Sequence, residues 1–404
     1  MKKLVSVLLL LAFLCACTAA PQPSPPPAPQ PEDTAAPPEP PAVFPSEPMA
    51  PIEPEPVPDV PPEPLPEPEP PDPITELLGT MTVEEKVGQL FLVRCPTEQE
   101  AEEAAKWHLG GYVLFAPNVK THSKQSLLQL TERIQKASQI PLLLSVDEEG
   151  GTVCRLSSYA AFRAAKFPSP SGVFAAGGWD GIVRDIEEKC QLFRETGLNV
   201  NLAPVCDVVT DPNAFMYKRA FGISAEETAR FAVTSVETYA AQGIGAVLKH
   251  FPGYGNNADT HISSATDSRT LQELEANDLL PFRRAIEAGA EAIMVAHNIV
   301  AALDGKKPAS LSPAVHEYLR KTMGFEGVII TDELSMGAIG AYTDGRSAAV
   351  QAVLAGNDLI CCTDYAAQIP AVLEAVEKGV ISQELLDAAV TRILRWKTRL
   401  GLIP

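Results

Sequence analysis

The sequence predicts an α/β chain folded as a (β/α)₈ barrel of the TIM type, a single catalytic-sized domain behind a tether that has no core. Three observations carry this expectation. Short apolar runs alternate with amphipathic helical patterns eight times between Val87 and Cys362. Five of those runs end in ionisable residues, as strands opening onto a polar barrel mouth do. No GxGxxG-type phosphate loop follows an early strand, which counts against the runner-up, a doubly wound open sheet.

The chain has 404 residues, enough for one large domain with appendages. It opens MKKLVSVLLLLAFLCACTAA. Lys2 and Lys3 form a short positive region, and Leu4 to Leu14 form an apolar run too short for a comfortable membrane span. Small residues follow, so this stretch reads as a secretion signal. Leu14-Cys15-Ala16-Cys17 resembles the bacterial lipobox, which implies diacylglycerol on Cys17, cleavage before it, and an extracytoplasmic protein held on the membrane by lipid. Residues 1–17 are therefore set apart as a lipoprotein signal region.

Residues 18–73 read as a linker. Between Pro21 and Pro73 there are 25 of the chain's 38 prolines and eleven acidic residues, with no basic one. Proline removes backbone donors and fixes φ, so the segment favours a solvated polyproline II conformation. At about 3.1 Å per residue its extended limit is roughly 160 Å. A spacer function fits better than a proline-rich partner ligand. The net charge of the whole chain is −19, and about −10 of it falls on residues 74–404. An acidic chain does not suit nucleic acid as its main partner, and the charge serves solubility.

The folded part, 74–404, opens with a helical pattern in which Thr82 and Glu85 have capping-box spacing. The expected strands are 87–94, 111–116, 141–147, 199–207, 245–250, 291–297, 327–332 and 357–362. Helical stretches separate most of them, among them TERIQKASQ, AEETARFAVTSVETYAAQG, LLPFRRAIEAG and SPAVHEYLRKTMG. The polar strand ends are Asp147, Asp207, Lys249-His250, His297 and Asp332. Together they suggest a mouth for a small polar ligand, and the dense hydrogen bonding of a sugar fits.

Three segments hold the candidate chemistry: SVDEEGGTVCRL (145–156), KHFPGYGNNADTHISSATD (249–267) and VIITDELSMGAI (328–339). Asp332 ends a run of β-branched residues. It could be a nucleophile, a sugar-hydroxyl ligand, a metal ligand, or a structural carboxylate paired with Lys249 or Arg219. Strand alternation would send Glu333 the other way. Asp259 stands two residues before His261 and could fix the imidazole tautomer and raise its basicity, making an acid/base pair. By itself that pattern could equally help to bind a metal.

Together these segments resemble glycoside hydrolase family 3, in its β-N-acetylhexosaminidase branch, over nearly all of 74–404. KHFPGYGNNADTH is similar to the family's KHFPGHGxxxxDSH, ITDELSM to its nucleophile segment, and VDEEGGTVCRL to a sugar-binding strand end. NLAPVCDV and KRAFG resemble its segments around the fourth strand. The resemblance implies Asp332 as nucleophile of a retaining double displacement, with His261 as acid/base supported by Asp259. It implies substrate contacts from Asp147, Lys249, His250, Arg155, Arg219 and Asp207. It implies no metal or organic cofactor, and as substrate a β-linked N-acetylglucosaminide, with peptidoglycan fragments the natural guess. Tyr254 departs from the family pattern, which has His there, and implies a local change in the loop.

Cys95, Cys154, Cys190, Cys206, Cys361 and Cys362 form no CxxC or zinc spacing and are expected mostly as free, core-packing thiols. His297 is a candidate for the mouth, His108, His122 and His316 are ordinary, and Trp107, Trp179 and Trp396 pack. A monomer is the default. Other readings are a β-glucosidase or broad hexosidase of the same family, a metal-dependent barrel hydrolase, and a non-catalytic cell-wall-binding lipoprotein. Transfer to another acceptor such as phosphate stays open beside hydrolysis.

Overall fold

The computed structural model describes residues 72–98, 104–255, 265–335, 339–343 and 345–404. Cys17, the linker up to residue 71, Asp259 and His261 lie outside the described residues.

Eight parallel strands form the barrel: β1 Phe91–Arg94, β2 Gly111–Leu114, β3 Leu143–Val146, β4 Val200–Asn201, β5 Gly245–Phe251, β6 Ala292–Val295, β7 Val328–Thr331 and β8 Ile360–Cys362. Neighbours in sequence are neighbours in the sheet from β1 to β7, and β8 returns to pair with β1. A parallel bridge between Ile330 and Leu359 joins β7 to the approach of β8 and closes the ring. Each expected strand is present, and all but β5, which runs one residue past its expected end to Phe251, are shorter than their apolar runs. The fourth is cut most, to Val200–Asn201, and the first starts only at Phe91 because Val83–Gln89 is a helix.

The strands are buried on both faces, which is why they read as continuous apolar runs. Tyr112, Leu144, Val247, Ile293 and Ile330 are each fully or almost fully enclosed. Helices cover the outside, and their starts follow from their sequences. Thr82 accepts from the Glu85 amide at 3.2 Å while the Glu85 carboxylate accepts from the Thr82 amide at 2.8 Å, the expected capping box. Ser123, Ser224 and Ser382 cap the helices Lys124–Ala137, Ala225–Ala241 and Gln383–Arg399, each hydroxyl oxygen accepting from a backbone amide three residues on.

Two features were not anticipated. Pro170–Thr196 is helical over 27 residues, interrupted at Gly178, whose φ of 57° breaks the pattern. After β3 the chain makes a small antiparallel ribbon, Glu148–Gly150 against Val153–Cys154. Gly150 permits it: φ is 102°, and a Cβ there would meet the Pro168 carbonyl oxygen at 2.2 Å. The helix Gln383–Arg399 packs back on the first elements through a 2.8 Å Lys86–Asp387 ion pair and a 2.7 Å hydrogen bond from Lys397 to Gln89. All six cysteines from Cys95 onward are buried and free.

Candidate active site

The C-terminal strand ends surround a cavity of about 360 Å³ whose lining includes Asp147, Arg155, Arg219, Lys249, His250 and Asp332. Six of the sequence-predicted site residues thus converge, from β3 and its ribbon, the segment after β4, β5 and β7.

The floor is a charge network. Lys249 Nζ donates to Asp147 Oδ1 at 2.7 Å and lies 2.7 Å from Glu149 Oε1. Arg219 grips Glu149 with both arms of its guanidinium, Nη2 to Oε1 at 2.7 Å and Nε to Oε2 at 3.0 Å. Arg155 Nη2 reaches Asp147 Oδ2 at 3.3 Å. Burial alone would raise the carboxyl pKa values, but the cations outweigh it. Lys249, Arg155 and Arg219 hold Asp147 down at about 2, and Lys249 with Arg219 lowers Glu149. Burial likewise opposes the charge on Lys249, yet Asp147 and Glu149 hold its pKa above the usual value. The floor therefore carries fixed charges and presents both acceptors and donors to a ligand.

Local sequence explains how this floor is built. Glu148 is fully enclosed and its carboxylate accepts from the amides of Arg155, Leu156 and Ser157 at 2.9, 2.8 and 3.2 Å, and from the Ser157 hydroxyl. That clamp folds the ribbon back so that Arg155 meets Asp147. Asn201 on β4 fixes Glu148 in turn, accepting from its amide at 3.0 Å. On β5 the pairing with β6 shifts register between Leu248 and Phe251, so Lys249 and His250 both line the cavity instead of alternating.

His250 is oriented from below. Its Nδ1 lies 2.8 Å from Asp207 Oδ2, its Nε2 lies 3.4 Å from Arg219 Nη2, and Tyr254 packs edge-on against its ring at 5.3 Å. The sequence places Asp207 among the direct substrate contacts, and the structure corrects this. Asp207 is fully buried, with its second oxygen taken by the Tyr254 amide at 2.7 Å, so it meets the cavity only through His250. Tyr254 itself is buried among Val205, Val209, Met216 and Ala296.

Asp332 follows the last residue of β7. Its amide donates to Val295 O at 3.0 Å, and its Oδ1 accepts from the Glu333 amide at 2.8 Å. Lys249 and Arg219 hold Asp147 and Glu149 on the floor, and Asp332 stands on the wall of the same cavity. Glu333 lines the same cavity, against the alternation expected, because the strand has ended at Thr331. Its carboxylate turns to the Thr363 amide at 2.9 Å. His297 is not in the lining. It is buried, bonded to Ser310 Oγ at 2.7 Å and placed 3.0 Å from the Glu333 carbonyl, which it braces. Glu149 was missed by the sequence reading. Its place two residues beyond Asp147 and just before Gly150-Gly151 was the available signal.

The model of the glycosyl hydrolase family 3 N terminal domain matches residues 82–396. A Beta-hexosaminidase of Xanthomonas campestris pv. campestris is 34% identical over 306 residues, covering 73% of this chain and 89% of that protein. Beta-hexosaminidase A of Pseudoalteromonas piscicida is 29% identical over 343 residues, 74% of this chain but 55% of that longer protein. The solved structure of a glycoside hydrolase family 3 beta-N-acetylglucosaminidase from Paenibacillus sp. str. FPU-7 superposes with a TM-score of 0.73 at 33% identity, covering 80% of this chain and 63% of that one. The chain thus spans little more than half of the Pseudoalteromonas protein and less than two thirds of the Paenibacillus one. A match that takes in the strand ends carrying Asp147, Lys249 and Asp332 as well as the barrel leaves one conclusion: this chain belongs to glycosyl hydrolase family 3.

Proposed function

We propose that the chain is a retaining β-N-acetylglucosaminidase that removes terminal β-linked N-acetylglucosamine from cell-wall-type glycans. The observation that carries this is the placement of Asp332 on the wall of the cavity whose floor is Asp147, Lys249, Arg219 and His250. A floor of fixed acceptors and donors suits the hydroxyl groups of one sugar ring, and a carboxylate beside it suits attack at the anomeric carbon.

In the first step Asp332 forms a bond to the anomeric carbon while the glycosidic bond breaks. The leaving oxygen takes a proton from His261, and Asp259 supports the imidazole. In the second step His261 takes a proton from water, which attacks the same carbon and returns the Asp332 carboxylate. This scheme replaces one carboxylate of the usual retaining pair with a His–Asp dyad. The hexosaminidase relatives and the placement of Asp332 support the reading. His261 and Asp259 enter from the sequence pattern.

We further propose that Cys17 carries a lipid anchor on the outside of the cell membrane and that residues 18–73 hold the barrel away from that membrane. That part rests on the lipobox resemblance and the proline content of the segment. Labelling with an alkyne palmitate, present in the parent and absent in Cys17→Ala, is the expected outcome.

The deciding experiment is turnover of 4-nitrophenyl N-acetyl-β-glucosaminide and of the matching β-glucoside by the parent, Asp332→Ala and His261→Ala. Release from the N-acetyl substrate alone, lost with Asp332→Ala and reduced with His261→Ala, is expected. Activity that survives Asp332→Ala would overturn the mechanism, and preference for the glucoside would move the substrate to a β-glucosidase.

A further inference from the structure

The chain just beyond β6 touches both halves of the catalytic machinery without entering the cavity. Ala296, His297 and Asn298 are fully enclosed, and none of them is in the cavity lining. On one side His297 Nε2 lies 3.0 Å from the Glu333 carbonyl oxygen. A carbonyl only accepts, so this nitrogen carries a proton and donates. Ser310 Oγ holds the other ring nitrogen at 2.7 Å. Glu333 in turn donates its amide to Asp332 Oδ1 at 2.8 Å, so His297 fixes the residue on which the nucleophile's carboxylate rests.

On the other side Asn298 Nδ2 donates to the Gly253 carbonyl at 3.0 Å. Asn298 Oδ1 is buried with no hydrogen-bond partner among the described residues, which makes the Gly253 bond the polar engagement of that side chain. The next amide, of Ile299, donates to the Ala265 carbonyl at 2.8 Å, and Ile299 and Val300 pair in parallel with Thr266 and Asp267. Gly253 precedes and Ala265 follows the residues that include Asp259 and His261. One buried stretch therefore holds the turn bearing Asp332 and both flanks of the sequence bearing His261.

We propose that His297 and Asn298 are positioning residues that set the two catalytic groups against each other, His297 acting on Asp332 through Glu333 and Asn298 acting on His261 through Gly253. The inference rests on the glycosidase reading and adds to it two residues that touch no substrate. A displacement of about 1 Å in a reacting group costs on the order of 100-fold in rate, so a tie of this kind is worth having on each side.

The test separates attack from proton donation in the full chain. Donation is read from the ratio of kcat/KM for 2,4-dinitrophenyl and phenyl N-acetyl-β-glucosaminide, because the first leaving group departs without a proton and the second needs one. Attack is read from the rate constant with which 5-fluoro-N-acetylglucosaminyl fluoride labels Asp332, followed by intact mass. Neither the ratio nor the rate constant depends on how much of a preparation is folded. Asn298→Ala is expected to raise the ratio about tenfold and to leave labelling within about threefold of the parent. His297→Asn keeps an amide for Ser310 but stops short of the Glu333 carbonyl. It is expected to slow labelling about tenfold with the ratio unchanged, and the longer His297→Gln to restore most of the rate. A parental ratio in Asn298→Ala, or parental labelling in His297→Asn, overturns the inference and leaves the glycosidase reading standing. A parent that turns over neither glycoside and takes no label on Asp332 overturns both.

Discussion

Glu149 and Lys249, one hundred residues apart in sequence, meet through a single carboxylate oxygen: Glu149 Oε1 is 2.7 Å from Lys249 Nζ and 2.7 Å from Arg219 Nη2. One buried acid therefore sets the positions of two cations on the cavity floor. Glu149→Gln keeps the shape but removes the charge that both cations face. Uncompensated buried charge costs about 2–5 kcal/mol, so kcat/KM is expected to fall on the order of 100-fold, with a lower melting temperature. Steady-state kinetics and thermal unfolding of the variant check this. An unchanged KM and melting point would remove Glu149 from the floor.

Asp147 gives a stability that depends on pH. Its folded pKa of about 2 lies below that of an unfolded Asp. Its contribution is therefore complete above about pH 4 and is lost as pH falls toward 2, and it amounts to about 2 kcal/mol. Denaturant unfolding of the parent and Asp147→Asn should show a gap at pH 6 that narrows steadily below pH 4. A gap of constant size would mean that Asp147 is not held ionised by its cations.

Asp207 acts through His250. In Asp207→Asn the carboxylate that orients Nδ1 is replaced by an amide that can turn either way. Turnover of the N-acetyl substrate is expected to drop about tenfold, chiefly through KM, because His250 is read as a binding group and not the acid/base. A change confined to kcat would place His250 closer to the proton transfers.

Lys397 is fully buried, and burial drives its pKa down to about 7. Its folded pKa lies below its unfolded one, so the protonated form destabilises the fold. That penalty is complete below pH 7 and is relieved between about pH 7 and 10.5. Lys397→Met removes the penalty but leaves Gln89 Oε1 without its 2.7 Å donor. The melting temperature of the variant minus that of the parent should be more favourable at pH 6 than at pH 9.5. The reverse order would mean that Lys397 stays charged in the fold.

The barrel was legible because its strands are enclosed on both faces. Val328 to Thr331 and Leu143 to Val146 have no exposed side to interrupt the apolar run. The helix Pro170–Thr196 was hidden by Gly177-Gly178, which reads as a turn and is in fact a break inside a longer helix. The strand-end residues Asp147, Lys249, His250 and Asp332 were legible because polar groups at the ends of apolar runs stand out. Glu148 and Glu149 were not, because adjacent acids usually mark solvent. Their buried partners lie at Asn201, Arg219 and Lys249, separations at which a single sequence has no pattern to offer. Asp207 was legible as polar but not as buried, since its burial depends on the Tyr254 amide arriving from β5.

The pairing of β1 with β8, and the docking of Gln383–Arg399 onto the first helices, set an order of events during synthesis. While the chain is being made, β1 has β2 beside it but its other edge stays open until residue 362 has emerged. Gln89 waits longer still for Lys397. The ring cannot be completed by adding units one after another, so the last-made segment supplies the seam. A chain interrupted before that segment presents a parallel sheet with two unpaired margins, the form most prone to associate with its own kind.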